Sequence, residues 1–388
     1  MSTPGRPTLA DVAALAGVSL KTASRAMNAE YGVAQATAER VLAAARELGF
    51  RPNRLAQSLA GGGPSAAVGL LIPDVADPFV AGVVGAVEAV LATRDLQLIT
   101  ASHGNDEARQ HKLASALVER RVDGLIIMSA PGDVSYLLAD IRHGLAIVAL
   151  DRPLAGLDVD TVTVDNEVGA RELVCRLLAK GHRRIAMLVG DVRLWTLARR
   201  LDGYRAALAD AGIAVDEALI STAPDRSQAE VDLASMLELA DPPTAVFAAH
   251  HPISRGAMRV MYEKGISLDL AVFDSVDDHD LLITPPLGIA AQGPDRIGQV
   301  AAQLLVDRLE GLQGPPRHVV LAPLMLLRDD QDAECTTTTA GATAPGHHAH
   351  VSEAPHHGVP GEPEDPSREL LSTTSIEHRQ GSAHQSIG

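Results

Sequence analysis

The feature that most limits what this chain can fold into is a β/α alternation through its middle. Between residues 66 and 328, short apolar runs alternate with amphipathic segments of helical period. The runs fall at 67–72, 96–101, 124–128, 146–150, 184–189, 245–249 and 270–273, and most are apolar at consecutive positions. Strands of that kind are buried on both faces. The helical patterns at 79–94, 107–120, 168–180, 198–211, 253–264 and 296–310 supply the covering layers. The expected fold class is therefore α/β, doubly wound around a parallel sheet. The region is long for one such sheet, so two lobes are expected, with ligands at the carboxyl ends of the strands facing a cleft between them. Aromatic residues are only 2% of the chain against 46% apolar, so the cores must rest on Val, Leu, Ile and Ala.

The flanks read differently. Residues 1–52 form a short helical head, and Gly61-Gly62-Gly63-Pro64 breaks the chain within a linker at 53–65. Residues 329–388 are rich in Thr, His, Pro and Glu without hydrophobic period, and read as a disordered acidic tail. The formal net charge of −16 excludes a protein that coats nucleic acid by bulk charge. Its distribution matters more. Residues 1–60 carry seven Lys/Arg against four acids, whereas 329–388 carry ten acids against two Arg. A small basic head on an acidic body suits local contact with DNA and repulsion elsewhere. Cys175 and Cys335 lie in unlike surroundings and form no disulfide framework. With no apolar leader in MSTPGRPTLADV and no run long enough to span a bilayer, the expectation is a soluble cytoplasmic protein with no membrane contact.

Within the head, Thr8 and Asp11 are spaced as a capping box opening a short helix whose apolar face is Val12, Ala13 and Ala16. Gly17 closes it, Val18 tucks into the turn, and Ser19 caps a second helix from Leu20 to about Met27. Two short helices with a tight glycine turn can lay the second in a major groove. Leu20 and Lys21 would then face base edges, Thr22 and Ser24 would offer hydroxyls to phosphates, and Arg25 could fork onto a guanine. A third helix at 36–48 braces the pair, its start weakly capped by Ala34. The same hairpin occurs in bundles that never meet DNA, so geometry alone leaves both readings open.

The stretches TLADVAALAGVSLKTASRAMN and TAERVLAAARELGFRPNRLAQSLAGG resemble the DNA-binding region of the lactose-repressor (LacI/GalR) family. That resemblance implies base contacts by Leu20, Lys21 and Arg25, and backbone contacts by Ser19, Thr22, Ser24 and Asn28. It also implies a hinge helix from Asn53 and Arg54 onward, with Leu59 wedged into the minor groove where two copies meet on a palindromic operator in double-stranded DNA. GLLIPDVADPFVAGVVGAVEAV, RRVDGLIIM, VTVDNEVGARELVCRLLAKGHRRIAMLVGD and ARRLDGYRAALADAGI resemble the family's sensor domain. This implies a two-lobed periplasmic-binding-protein-like body, a homodimer, and an effector in the cleft that shifts populations between operator-competent and incompetent states.

Carried over position by position, the pocket candidates are Asp77, Phe79, Asp151, Arg152, Arg200 and Asp274, a set suited to a sugar-like or nucleoside-like molecule. Surface ion pairing is the competing account of Asp151, Arg152 and Arg200. Three departures from the family pattern stand out. His250-His251 replaces an Asn-Asp pair, APDRS at 223–227 lacks a stacking aromatic, and GISLDLAVFDSVDD is short and lacks a glycine before Phe273. Trp195 could stack from a neighbouring loop or simply pack. Either the effector is unusual or effector control has weakened.

The tail histidines at 347, 348, 350, 356 and 357 have no packed scaffold on which to fix a metal, His250-His251 reads as pocket lining, and His182 reads as structural. No phosphate-binding or dinucleotide glycine motif, no serine elbow and no catalytic constellation is present, so neither a cofactor nor an enzyme is expected. A solute-binding transport protein is the alternative of another class; the basic head and missing export signal count against it.

Overall fold

The computed structural model describes residues 7–28, 30–50, 65–274 and 286–328. The expected linker helix and tail fall outside this set, as do Asn53, Arg54 and Leu59.

The head consists of α1 (Leu9–Ala16), α2 (Leu20–Met27) and α3 (Gln35–Leu48). Its core is small and nearly all alanine and valine: Val12, Ala13, Ala16, Ala23, Ala26, Val41, Ala44 and Ala45. Small side chains bring the helices close and leave the polar face of α2 outside.

The body holds two six-stranded sheets, as the alternation predicts. The first is built from β1 (Ala67–Ile72), β2 (Gln97–Ser102), β3 (Gly124–Ile127), β4 (Ala146–Leu150), β5 (Asp160–Val164) and β11 (His318–Leu321). They are ordered β11-β5-β4-β3-β1-β2, and every pairing is parallel. The second contains β6 (Ile185–Leu188), β7 (Ile220–Ser221), β8 (Ala245–Ala248), β9 (Asp269–Phe273), β10 (Gly288–Ala291) and β12 (Leu324–Leu327). Its order is β12-β10-β9-β8-β6-β7, and only β12 runs antiparallel.

Helices α4 (Pro78–Ala92), α5 (Glu107–Glu119) and the short α6 (Leu138–Arg142) belong to the first lobe. Helices α7 (Asn166–Ala179), α8 (Trp195–Asp210), α9 (Arg226–Met236) and α10 (His251–Lys264) belong to the second. The last helix, α11 (Pro294–Leu309), returns to the first lobe, where Ile297, Ala301, Leu304 and Leu305 join Val80, Val83 and Val87 of α4 in one core. The chain thus passes between lobes three times, around Asp165, around Gln292 and between Leu321 and Leu324.

Helix starts shift by up to three residues, in part because of caps: Asp77 and Asp165 each accept a backbone N–H, so α7, for example, begins at Asn166 rather than 168. Five strands and two helices, the short α6 and α9, escaped the pattern. β5, Asp-Thr-Val-Thr-Val, reads as polar, yet it is buried throughout because Asp160 is paired by Arg308 and Arg317. β10 is Gly-Ile-Ala-Ala, small because a Cβ on Gly288 would lie 2.9 Å from Leu173 Cδ2. β7, β11 and β12 are short edge strands, and α9 has weak amphipathic contrast.

Candidate functional site

In the head, Thr8 caps α1 as expected: its Oγ1 accepts the Asp11 N–H at 3.3 Å, while Asp11 Oδ2 accepts the Thr8 N–H at 2.7 Å. These bonds hold the Asp11 carboxyl below the usual carboxylate range. Gly17 takes the left-handed backbone (φ 63°) that turns the chain into α2, a conformation that costs other residues about 1 kcal/mol. Ser19 Oγ accepts the Thr22 N–H at 3.1 Å and lies 2.8 Å from Thr22 Oγ1, so both hydroxyls already serve the cap.

Beyond that cap, Leu20 is 55% exposed, and Leu20, Lys21, Ser24 and Arg25 share an open recess with Leu9 and Glu30. An apolar side chain thus stands in water at the helix start beside two cations. The Arg25 guanidinium donates to the Tyr31 carbonyl and lies 3.4 Å from Glu30. Asn28 donates to Glu30 at 3.3 Å. The loop after α2 therefore aims the arginine, a relation between residues six apart that no helical period displays.

In the body, a cleft of about 590 Å³ opens between the carboxyl ends of the two sheets. Seven of the eight pocket candidates line it: Asp77, Phe79, Asp151, Arg152, Arg200, His250 and Asp274. Trp195 does not. It begins α8 with 37% of its surface exposed, while its neighbours Leu194, Thr196 and Leu197 face the cleft. The lining also includes Asp74, Asn105, Thr196, Asp225, Arg226, His251, Arg255 and Gln292. Most of these stand at strand ends or on the first turn of a helix. Position relative to β/α junctions, rather than residue type, was the signal for them.

Surface ion pairing does not describe the central residues. Arg200 is 2% exposed. Its Nε donates to Asn166 Oδ1 at 2.8 Å, and its Nη1 donates to the Ala249 carbonyl and, at 3.1 Å, to Asp274. Its guanidinium carbon lies 3.7 Å from the centre of the Phe273 ring. One side chain thus ties α7, the end of β8 and the end of β9, with a stacked ring adding about 2 kcal/mol in such a desolvated place. Gln292 donates to the other oxygen of Asp274.

Across the cleft, Asp151 is 4% exposed and Arg152 7%, with Nε 3.3 Å from the carboxylate. Burial pushes the Asp151 carboxyl up and the Arg152 guanidinium down, each opposed by the partner's charge. Asp151 (φ 69°) and Asp274 (φ 79°) both adopt left-handed backbone, and each follows the third strand in its sheet. Two strained aspartates at matching positions place a carboxylate on either wall, at a cost on the order of 1 kcal/mol each.

His250 caps α10 by position, without a side-chain cap bond. Burial lowers its pKa to about 4, so the ring is neutral near pH 7. Its Nδ1 is buried without a partner, and Gly190 (φ 89°) makes room for it: a Cβ there would lie 2.8 Å from His250 Cε1. Asp77 accepts the Phe79 N–H at 2.9 Å. Burial and then Asp274 raise its carboxyl.

His182 bonds Thr244 at 2.8 Å and Asp269 at 2.9 Å, pinning neighbouring strands. Among the described residues no cluster of His, Cys, Asp or Glu is arranged to hold a metal, and no helix is long and apolar enough to cross a membrane.

Comparison with known proteins finds matches to both the head and the body. Residues 8–53 match the model of the bacterial regulatory proteins of the lacI family, and residues 65–311 that of the periplasmic binding proteins and sugar-binding domain of the LacI family. The chain is 34% identical to the HTH-type transcriptional regulator CelR of Thermobifida fusca, over 84% of this chain and 98% of that protein. It is 30% identical to the ribose operon repressor of Haemophilus influenzae, over 83% and 98%. A solved complex of CelR with cellobiose matches with TM-score 0.62 and 32% identity, over 83% and 99% of the two chains. A lac repressor dimer bound to operator and the anti-inducer ONPF matches with TM-score 0.71 and 26% identity, over 83% and 98%. The chain belongs to the LacI family of bacterial transcription regulators.

Proposed function

We propose that this protein is a repressor that binds a palindromic operator as a homodimer in the cytoplasm, its affinity set by a small polyhydroxylated effector in the cleft. The observation that carries the DNA-binding half is the recess where Leu20, Lys21, Ser24 and Arg25 face solvent together over a core of small residues. Lys21 and Arg25 supply charge-assisted donors, and exposed Leu20 supplies an apolar contact for a thymine methyl. Asn53, Arg54 and Leu59 belong to the proposal as hinge contacts, by family resemblance. The effector half rests on the cleft: carboxylates on both walls accept hydroxyl protons, and two buried guanidinium groups organise them. Relatives named for cellobiose and ribose make a sugar the first class to try.

Selection of bound fragments from randomised duplex DNA at physiological salt tests the first half; recovery of a two-fold symmetric site is the expected result. Repeating the binding with sugars and nucleosides tests the second, by a change in operator affinity. His250-His251 and the non-aromatic 223–227 segment favour a second reading, a regulator whose cleft no longer controls binding. Operator affinity unmoved by every compound that binds the body would establish it.

A further inference from the structure

We infer that the effector carries a protonated amine among its hydroxyl groups, as an amino sugar does, rather than being a neutral or phosphorylated sugar; this rests on the reading of the cleft as the effector site.

The argument is an accounting of charge. Every arginine lining the cleft already has a partner, though Arg152 keeps Nη1 free: Arg152 lies 3.3 Å from Asp151, Arg200 3.1 Å from Asp274 and Arg226 2.7 Å from Glu230, while Arg255 is engaged too. An anionic effector would have to compete for cations that carboxylates hold. Three carboxylates on the same walls make no salt bridge with Arg152, Arg200 or Arg226, although the His251 ring offsets Asp77 in part. Asp74, Asp77 and Asp225 each accept a backbone N–H through Oδ1, at 3.0, 2.9 and 3.0 Å. The charge left uncompensated is negative. His250 adds nothing positive near neutral pH, its ring being held neutral by burial.

Independent of the carboxylates, Gln292 is 7% exposed, donates through Nε2 to Asp274, and leaves Oε1 buried with no partner. That oxygen can only accept, so it asks for an N–H or O–H from whatever enters. Opposite it, Arg152 Nη1 is a buried donor without a partner, which suits a hydroxyl or ring oxygen. Unpaired carboxylates on both walls, with one unfilled acceptor at Gln292 and one unfilled donor at Arg152, describe a hydroxylated ammonium compound.

The test uses the intact protein and matched pairs: glucosamine with glucose, galactosamine with galactose, mannosamine with mannose, and glucose 6-phosphate as the anionic arm. Thermal shift and then calorimetry at pH 7 would rank them. At least one amine is expected to bind about tenfold tighter than its neutral parent. In Asp77→Asn the preference should shrink to about twofold, because asparagine still caps α4 but carries no charge. Asp225→Asn, at the cap of α9, is the second variant should the first fail to fold. A parent that binds as tightly as its amine, a 6-phosphate that binds best, or a preference surviving both substitutions would overturn the inference. Binding by neutral sugars alone leaves the cleft reading standing, whereas no binding by any member of this panel or by the sugars and nucleosides of the operator test removes both.

Discussion

The two lobes share a strand order but place their main buried ion network at opposite ends. In the second lobe the brace is Arg200, which sits in the cleft and ties three elements there. In the first lobe the brace is Asp160, at the other end of β5 from the cleft. It accepts from Arg308 at 2.7 Å and Arg317 at 2.8 Å, joining α11 and the approach to β11. The first lobe therefore keeps its scaffold apart from its binding wall, whereas in the second they are the same atoms. Mutations at the second wall should damage folding and recognition together; those at the first should separate them.

The sharpest way to break that contrast is Arg200→Met. It strands Asp274 and frees a buried carbonyl, so a loss of about 3–5 kcal/mol is expected, measured by urea unfolding. A loss under about 1 kcal/mol would show that the brace is dispensable. Asp160→Asn should cost about 2–4 kcal/mol yet leave ligand affinity unchanged in whatever molecules still fold. Burial alone would raise the Asp160 carboxyl, but the two arginines outweigh it and hold it well below its ordinary value. Its contribution is thus complete above about pH 4 and is lost as pH falls through the lower folded-state value. Acid unfolding curves should lose part of their slope below about pH 4 in the variant; superimposed curves would place the acid sensitivity elsewhere. Gly190→Ala forces a methyl against His250 at a positive φ, and a cost of about 1–3 kcal/mol is expected by thermal unfolding. In the head, Arg25→Ala should reduce discrimination between operator and random duplex by about 1–3 kcal/mol, read by competition binding. Equal losses on both DNAs would reduce Arg25 to a phosphate contact. The smallest effect, about 1 kcal/mol in stability, is expected for Thr8→Ala.

The β/α alternation and the head were legible because hydrophobic period and caps act locally: Thr8, Gly17 and Ser19 each occupy the backbone role their type predicts. β5 was not legible, because what buries its aspartate comes from arginines roughly 150 positions away. Within the cleft, Asp151, Arg200 and Asp274 could be placed by resemblance, but their burial could not, since it depends on Asn166, Ala249 and Phe273 meeting in space. Gln292 carried no signal in its residue type, and β10, the strand it follows, was itself not legible. It lines the cleft because a chain crossing passes there.

Those crossings have a mechanical consequence. A single connection would let one lobe swivel freely about the other, like a bead on a thread. Three connections side by side act instead like the leaves of a door hinge, suppressing twist and leaving one easy direction of bending. Whatever occupies the cleft can then alter little besides one opening angle, and a one-dimensional signal of that kind is well suited to setting the separation of two DNA-reading heads.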